Sequence, residues 1–228
     1  MNRPHQNAAA SLTTSKDSKV IVKSLRLQIS ALFGKHIDSN GSVDYEACSH
    51  DDAFHEFAKS TDELCHVNLS KLAITPEGLM STVINLYNAL VIHAIVVQGG
   101  APSNMYQRLQ FFSRVGYHIG PHFYSLNDLE NGILRGNRKG PASLKVSFGP
   151  EDEKSGRKIC VQPMDPRIHF AINCGAKSCP PIRVYEADNL DLQLDAATRS
   201  FFLSTTVQDE GPTLHVSKGC CCCCCCAD

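Results

Sequence analysis

The stretch RIHFAINCGAKSCPP, residues 167–181, sets His169 five residues ahead of Cys174 and ten ahead of Cys179, and closes on a double proline. A thiol within reach of an imidazole can be a nucleophile, because an imidazolium lowers the thiol pKa and the neutral ring serves as general base. In that reading Cys179 attacks, His169 takes its proton, and a third polar group, Asn85, Asn88 or Asp165, orients the ring. The competing reading is structural, since a free cysteine behaves as a small hydrophobe and is usually buried. His169, Cys174 and Cys179 are also three possible zinc ligands. Their spacing departs from a zinc knuckle and no fourth ligand is evident, so no metal and no cofactor are assigned. The stretch contains no Cys-x-x-Cys redox pair.

These residues need elements to hold them. The alternation in IHFAINC predicts a strand over 168–174, with Ile168, Phe170, Ile172 and Cys174 on a core face and His169, Ala171 and Asn173 on the other. Gly175 permits a left-handed turn that folds Cys179 back toward His169, and Pro180 and Pro181 stiffen the exit.

The segment GLMSTVINLYNALVIHAIVVQGG, residues 78–100, is apolar on nearly all sides and stopped by a glycine pair, which predicts a buried central helix over 79–97. A membrane span is the rival. It is disfavoured because Asn85, Asn88 and His93 interrupt the run, which falls short of the roughly 20 apolar residues a bilayer needs. At about 100° per residue, Ser81, Asn85 and Asn88 fall within a sector of roughly 60°, one polar stripe on an apolar rod. Buried amides without partners cost about 1–3 kcal/mol each, so the stripe must meet either the backbone of neighbouring loops or a polar cleft.

Around this centre, VIVKSLRLQISALFGKH places Val20, Ile21, Leu25, Ile29, Leu32 and Phe33 at helical spacing, and residues 51–67 repeat the pattern with Phe54, Phe57, Ala58, Leu64 and Cys65. VGYHIGPHFY reads as a hairpin. Ser125 and Asp128 form a capping box for a following helix faced by Leu126, Leu129, Ile133 and Leu134. Residues 139–162 read as a long loop with at most one strand.

Twenty-two Lys and Arg against 23 Asp and Glu, with no basic block, give no electrostatic reason to expect nucleic acid or an anionic membrane surface. The expected partner is a protein; oligomeric state is not legible. Of the 12 cysteines, seven form the run 220–226; Cys48, Cys65, Cys160, Cys174 and Cys179 are left, an odd set without a disulfide framework. With no apolar signal core near the N-terminus, a reducing, cytoplasmic compartment is expected. The cysteine run itself reads as a translated repeat, a soft-metal site or a lipidation cluster. The expected organisation is a disordered tail over 1–19, a single α+β domain over 20–216, and an atypical cysteine-rich tail over 217–228. That domain has a buried central helix packed on a small antiparallel sheet.

INLYNALVIHAI, YSLNDLENGILRGN, RIHFAINCGAKSCPPIRVY and LDLQLDAATRSFFL, in this order, resemble the family catalogued as domain of unknown function 547, over about 69–216. The family has no assigned activity; its members occur alone in bacteria, behind coiled coils in plants, and fused to glutaredoxin and signalling domains in animals. From Cys179 and His169, then, the expected function is either a cysteine-dependent hydrolase or acyl transferase acting on peptide or isopeptide bonds, or a non-catalytic interaction module in intracellular signalling. Where the family has a Phe-Trp pair ahead of the INLYN helix this chain has Thr82 and Val83, and it lacks the family's aromatic ending. By analogy, a central helix bearing asparagines beside a histidine on a strand is similar to the papain and transglutaminase-like architecture. In those folds the nucleophile starts the helix, where this chain has Asn85, so Cys179 would have to come from the turn.

Overall fold

A computed structural model describes residues 1–2, 17–38, 43–140, 145–154, 159–175, 182–204, 207–209 and 214–216. Asp17 begins the first long helix, α1 (Ser18–His36), by accepting a hydrogen bond from the Lys19 amide. Ile21, Leu25, Ile29 and Leu32 are buried, as their spacing predicts, and Val22 joins them; of the others assigned to the stripe, Phe33 is partly covered and Val20 is exposed. Two short helices follow, α2 (Tyr45–Ser49) and α3 (Asp52–Ser60), the latter running into a 3-10 turn at Thr61–His66. Asp51 caps α3 and also binds Lys35 and His36 at 2.6 and 2.7 Å, tying α3 to the end of α1. Asn2 adds a clip, its amide bonded to the Thr61 carbonyl and to both backbone groups of His118.

After α4 (Leu69–Leu72), the central helix α5 spans Pro76–Gln98, a little longer at both ends than its apolar run suggests. Thr75 caps it, Pro76 occupies its first turn, and Gly99, at φ 71°, ends it with the Gly99 and Gly100 amides closing on the Val96 and Ile95 carbonyls. By length and composition α5 could cross a membrane, but the rest of the fold covers it: α1, α2, α4 and the segment after the hairpin pack around it. Val83 is fully buried at the position of the missing aromatic pair. His93 is buried too, with Nδ1 3.0 Å from the Tyr117 hydroxyl and the edges of Phe54 and Phe57 against its ring.

Next come α6 (Met105–Arg114) and the expected hairpin, β1 (Gly116–Ile119) and β2 (His122–Ser125), antiparallel with Gly116 opposite Ser125. The capping box forms: the Ser125 amide donates to Asp128 Oδ2 at 3.1 Å and the Asp128 amide to Ser125 Oγ at 3.0 Å. The helix it starts is wider than expected, a π-helix over Asp128–Leu134. Within it Glu130 is buried and accepts a hydrogen bond from the Tyr87 hydroxyl, and Gly132 leaves room for the Phe148 ring. The described parts of 139–162 contain no strand. The last helix, α7 (Leu190–Ser204), precedes a second two-stranded pair, β3 (Val207–Asp209) and β4 (Leu214–Val216). The chain is thus a single α+β domain with a central helix and a small antiparallel sheet, and the cysteine run 220–226 lies outside the described residues.

The expected strand over 168–174 does not form. Pro166–Phe170 is a 3-10 helix capped by the Asp165 carboxylate on the Arg167 amide, and 171–175 continue without strand pairing. The sequence Asp165-Pro166 explains this, an N-cap followed by proline at the first helical position. Burial follows the turn rather than the alternation: Ile168, Ala171 and Ile172 are inside, and Phe170 is only partly covered.

Candidate functional site

Asn85 and Asn88 each use the side-chain amide as a strand would use its backbone. Asn85 donates to the Tyr185 carbonyl at 2.7 Å and accepts from the Tyr185 amide at 3.1 Å. One turn on, Asn88 donates to the Ala171 carbonyl at 3.0 Å and accepts from the Asn173 amide at 2.8 Å. The polar stripe of α5 therefore satisfies loop backbone, the first of the two alternatives its burial allowed. Its consequence is geometric: both stems of residues 174–184 are fastened to one face of the central helix.

The incoming stem carries His169, half-buried, on the 3-10 turn. Asp165, at the start of that turn, faces Arg167, whose guanidinium also reaches Asp191 and Asp195 of α7 at 2.7 and 2.6 Å. Burial works to raise the Asp165 carboxyl, but the bonds from Arg167 prevail and hold it below its usual range. Arg167 thus locks the His169 turn to α7. Sequence reading missed this residue, although carboxylates four apart on one helix face were a readable sign of a cationic partner.

At the end of the stem, Asn173 Oδ1 accepts from the Gly175 amide at 2.7 Å, and Gly175 takes the expected left-handed conformation at φ 78°. Cys174 is buried, as its core assignment required, with Arg108 of α6 donating to its sulfur at 3.7 Å. A methyl group on Gly175 would collide with Ile95 Cδ1 and lie 3.7 Å from Ala101 Cβ. Gly175→Ala is expected to cost about 1–2 kcal/mol from the left-handed backbone alone, and more from the collision. The urea midpoint measures it; a midpoint equal to the parent's would show that this corner adapts freely.

Cys179 belongs to 176–181, outside the described residues, so its distance to His169 is not part of the described geometry. The described thiols are all free. Burial pushes Cys48 up to about 11 and raises Cys65 and Cys160, which disfavours their thiolates at neutral pH. Among the described residues no three His, Cys, Asp or Glu side chains cluster as metal ligands.

Beside the Gly175 corner lies an open cavity of about 610 Å³ between the end of α5 and α6, with Ala101, Tyr106, Gln110 and Arg114 in its wall. A family model described as "Protein of unknown function, DUF547" matches residues 46–202, from α2 to near the end of α7. No curated protein and no solved structure matches the chain.

Proposed function

Since the chain belongs to the DUF547 family, to which no activity is assigned, we propose a function from its own residues: a cysteine-dependent hydrolase or acyl transferase acting on peptide or isopeptide bonds. The observation that carries this reading is the double fastening of residues 174–184 to α5, with His169 on the incoming stem. Catalytic groups are commonly presented on loops held by a rigid scaffold, and this scaffold fixes the chain on both sides of Cys179. Cys179 Sγ attacks the carbonyl carbon while His169 takes the thiol proton. The C–N bond then breaks, His169 returns the proton to the departing amine, and a thioester remains on Cys179. Water or an acceptor amine then attacks the thioester and releases the thiol. Asn85, Asn88 and Asp165 serve this arrangement by holding backbone and the Arg167 link. The reading also takes 20–216 as the folded unit and the cytoplasm as its place, a reducing setting that suits the free thiols.

The test is iodoacetamide labelling against pH, with sites mapped by mass spectrometry on a chain ending before Gly219. Cys179 should react first at mildly acidic pH, well below the thiol's usual pKa of about 8.5, ahead of the burial-raised Cys48, Cys65 and Cys160. His169→Ala should move its labelling curve to higher pH. Slow labelling of every thiol, indifferent to His169→Ala, would remove the enzyme reading.

A second reading is favoured by α6, where Met105, Tyr106 and Leu109 are exposed. Such a surface suits a non-catalytic module that binds a protein partner in intracellular signalling, and uniformly slow thiols would leave that reading standing.

A further inference from the structure

The cavity at the corner of α5 and α6 adjoins the segment that bears Cys179: Gly175 packs on Ile95 and beside Ala101, and Ala101 lines the cavity. Cys179 stands four positions beyond Gly175, a reach of at most about 14 Å. At about 610 Å³ the cavity is in the size range of sites that take small ligands.

Its polar groups are complementary to a peptide unit. Gln107 Oε1 accepts from both the Ser103 amide and the Ser103 hydroxyl at 2.9 Å, which leaves its Nε2 hydrogens to donate. Gln110 is the reverse: Nε2 donates to the Tyr106 hydroxyl at 3.2 Å, and Oε1 is buried with no partner. A peptide carbonyl suits the Gln107 Nε2 hydrogens, while Gln110 Oε1 is closed off from the cavity and offers no contact. Phe111 gives the floor an apolar surface, and Arg114 lines the cavity without an ion-pair partner among the described residues. A guanidinium in that position selects a carboxylate.

We propose that this cavity binds a short peptide segment carrying a carboxylate, a backbone carbonyl meeting Gln107 and the carboxylate meeting Arg114. It is the substrate subsite of the thiol chemistry proposed above and rests on that reading for its role, though not for its binding. The carboxylate can be a chain terminus or an acidic side chain, and the probes separate the two.

The experiment is a titration of the ¹⁵N-labelled full chain, followed by NMR, with three peptides: acetyl-Ala-Ala-Ala with a free C-terminal carboxylate, acetyl-Ala-Asp-Ala-amide, and acetyl-Ala-Ala-Ala-amide. One or both acidic peptides should shift the side-chain amide signals of Gln107 and Gln110 and the backbone signals of Gly99 and Gly100. The neutral peptide should bind about five-fold more weakly, the scale of one exposed ion pair. Arg114→Gln should abolish the difference between acidic and neutral peptides, and Gln107→Leu should weaken all three. The tighter acidic peptide identifies the source of the carboxylate. Equal binding of the three peptides, no shifts at these residues, or an acid preference that survives Arg114→Gln overturns the proposal. Cys179→Ala should leave binding unchanged. Binding with an unreactive Cys179 keeps the subsite and sinks the hydrolase; a reactive Cys179 with no binding does the opposite.

Discussion

Asn85→Ala is expected to lower the stability of the chain by about 2–6 kcal/mol, among the largest effects a single polar truncation can have here. The change leaves both the carbonyl and the amide of Tyr185 without a partner in a site where Tyr185 and Asn85 are buried. An unpaired buried polar group costs about 1–3 kcal/mol, and there are two of them. Asn88→Ala should do less damage, because the Asn173 amide is only part-buried and can turn to water, while the Ala171 carbonyl is buried. Asn85→Asp is the informative companion. It keeps an oxygen for the Tyr185 amide but sets a carboxylate oxygen against the Tyr185 carbonyl, so it should be no milder than alanine. Urea midpoints of the three variants check this, and an undiminished midpoint for Asn85→Ala would show that the bonds carry no net stability.

His93 sets the second large expectation. Its ring is buried between Phe54 and Phe57, and that burial, helped by the nearby Met1 ammonium, depresses its pKa to about 4. Unfolded, it titrates near 6.5. The folded state therefore refuses a proton that the unfolded chain accepts, and the neutral ring's contribution is fully present above about pH 6.5. It is lost progressively as pH falls from there to about 4, by about 3 kcal/mol in total. Denaturation followed from pH 7 to 4 should show this loss. His93→Gln, which cannot titrate, should be less stable at pH 7 through lost packing and should lack this component of the slope. An identical slope in both proteins would assign acid sensitivity to other groups.

The core helix was legible in sequence because its apolar residues surround it and the glycine pair Gly99 and Gly100 stops it; its start at Pro76, ahead of the apolar run, was not read. The hairpin was legible from its Gly-Pro turn, and the capping box from Ser125 and Asp128 alone. The error at 168–174 came from counting a period of two over a few residues, where a single turn of 3-10 helix gives a pattern too short to distinguish. Asp165-Pro166 carried the decisive information and lay just outside the alternating run. The partners of Asn85 and Asn88 could not be read at all. Burial demands that an amide be satisfied, but which loop satisfies it depends on contacts between residues as far apart as Asn85 and Tyr185. Arg167 was missed as a link because its acidic partners on α7, four residues apart, read equally well as an ordinary solvated face.

The π-helix at Asp128–Leu134 makes chain length itself a structural specification. A wide turn accommodates one residue more than an α-helical path between the same end points, so the segment behaves as a retained insertion. Removing one residue would let the turn close to an α-helical path between the same end points, so the elements on either side keep their places while the residues left inside the turn change faces. A deletion ahead of Gly132 would then move it from under the Phe148 ring. Substitutions of like volume can be absorbed there one at a time, whereas a single-codon deletion would misalign a whole face at once. In this segment the reading frame of the backbone is more constrained than the identity of its side chains.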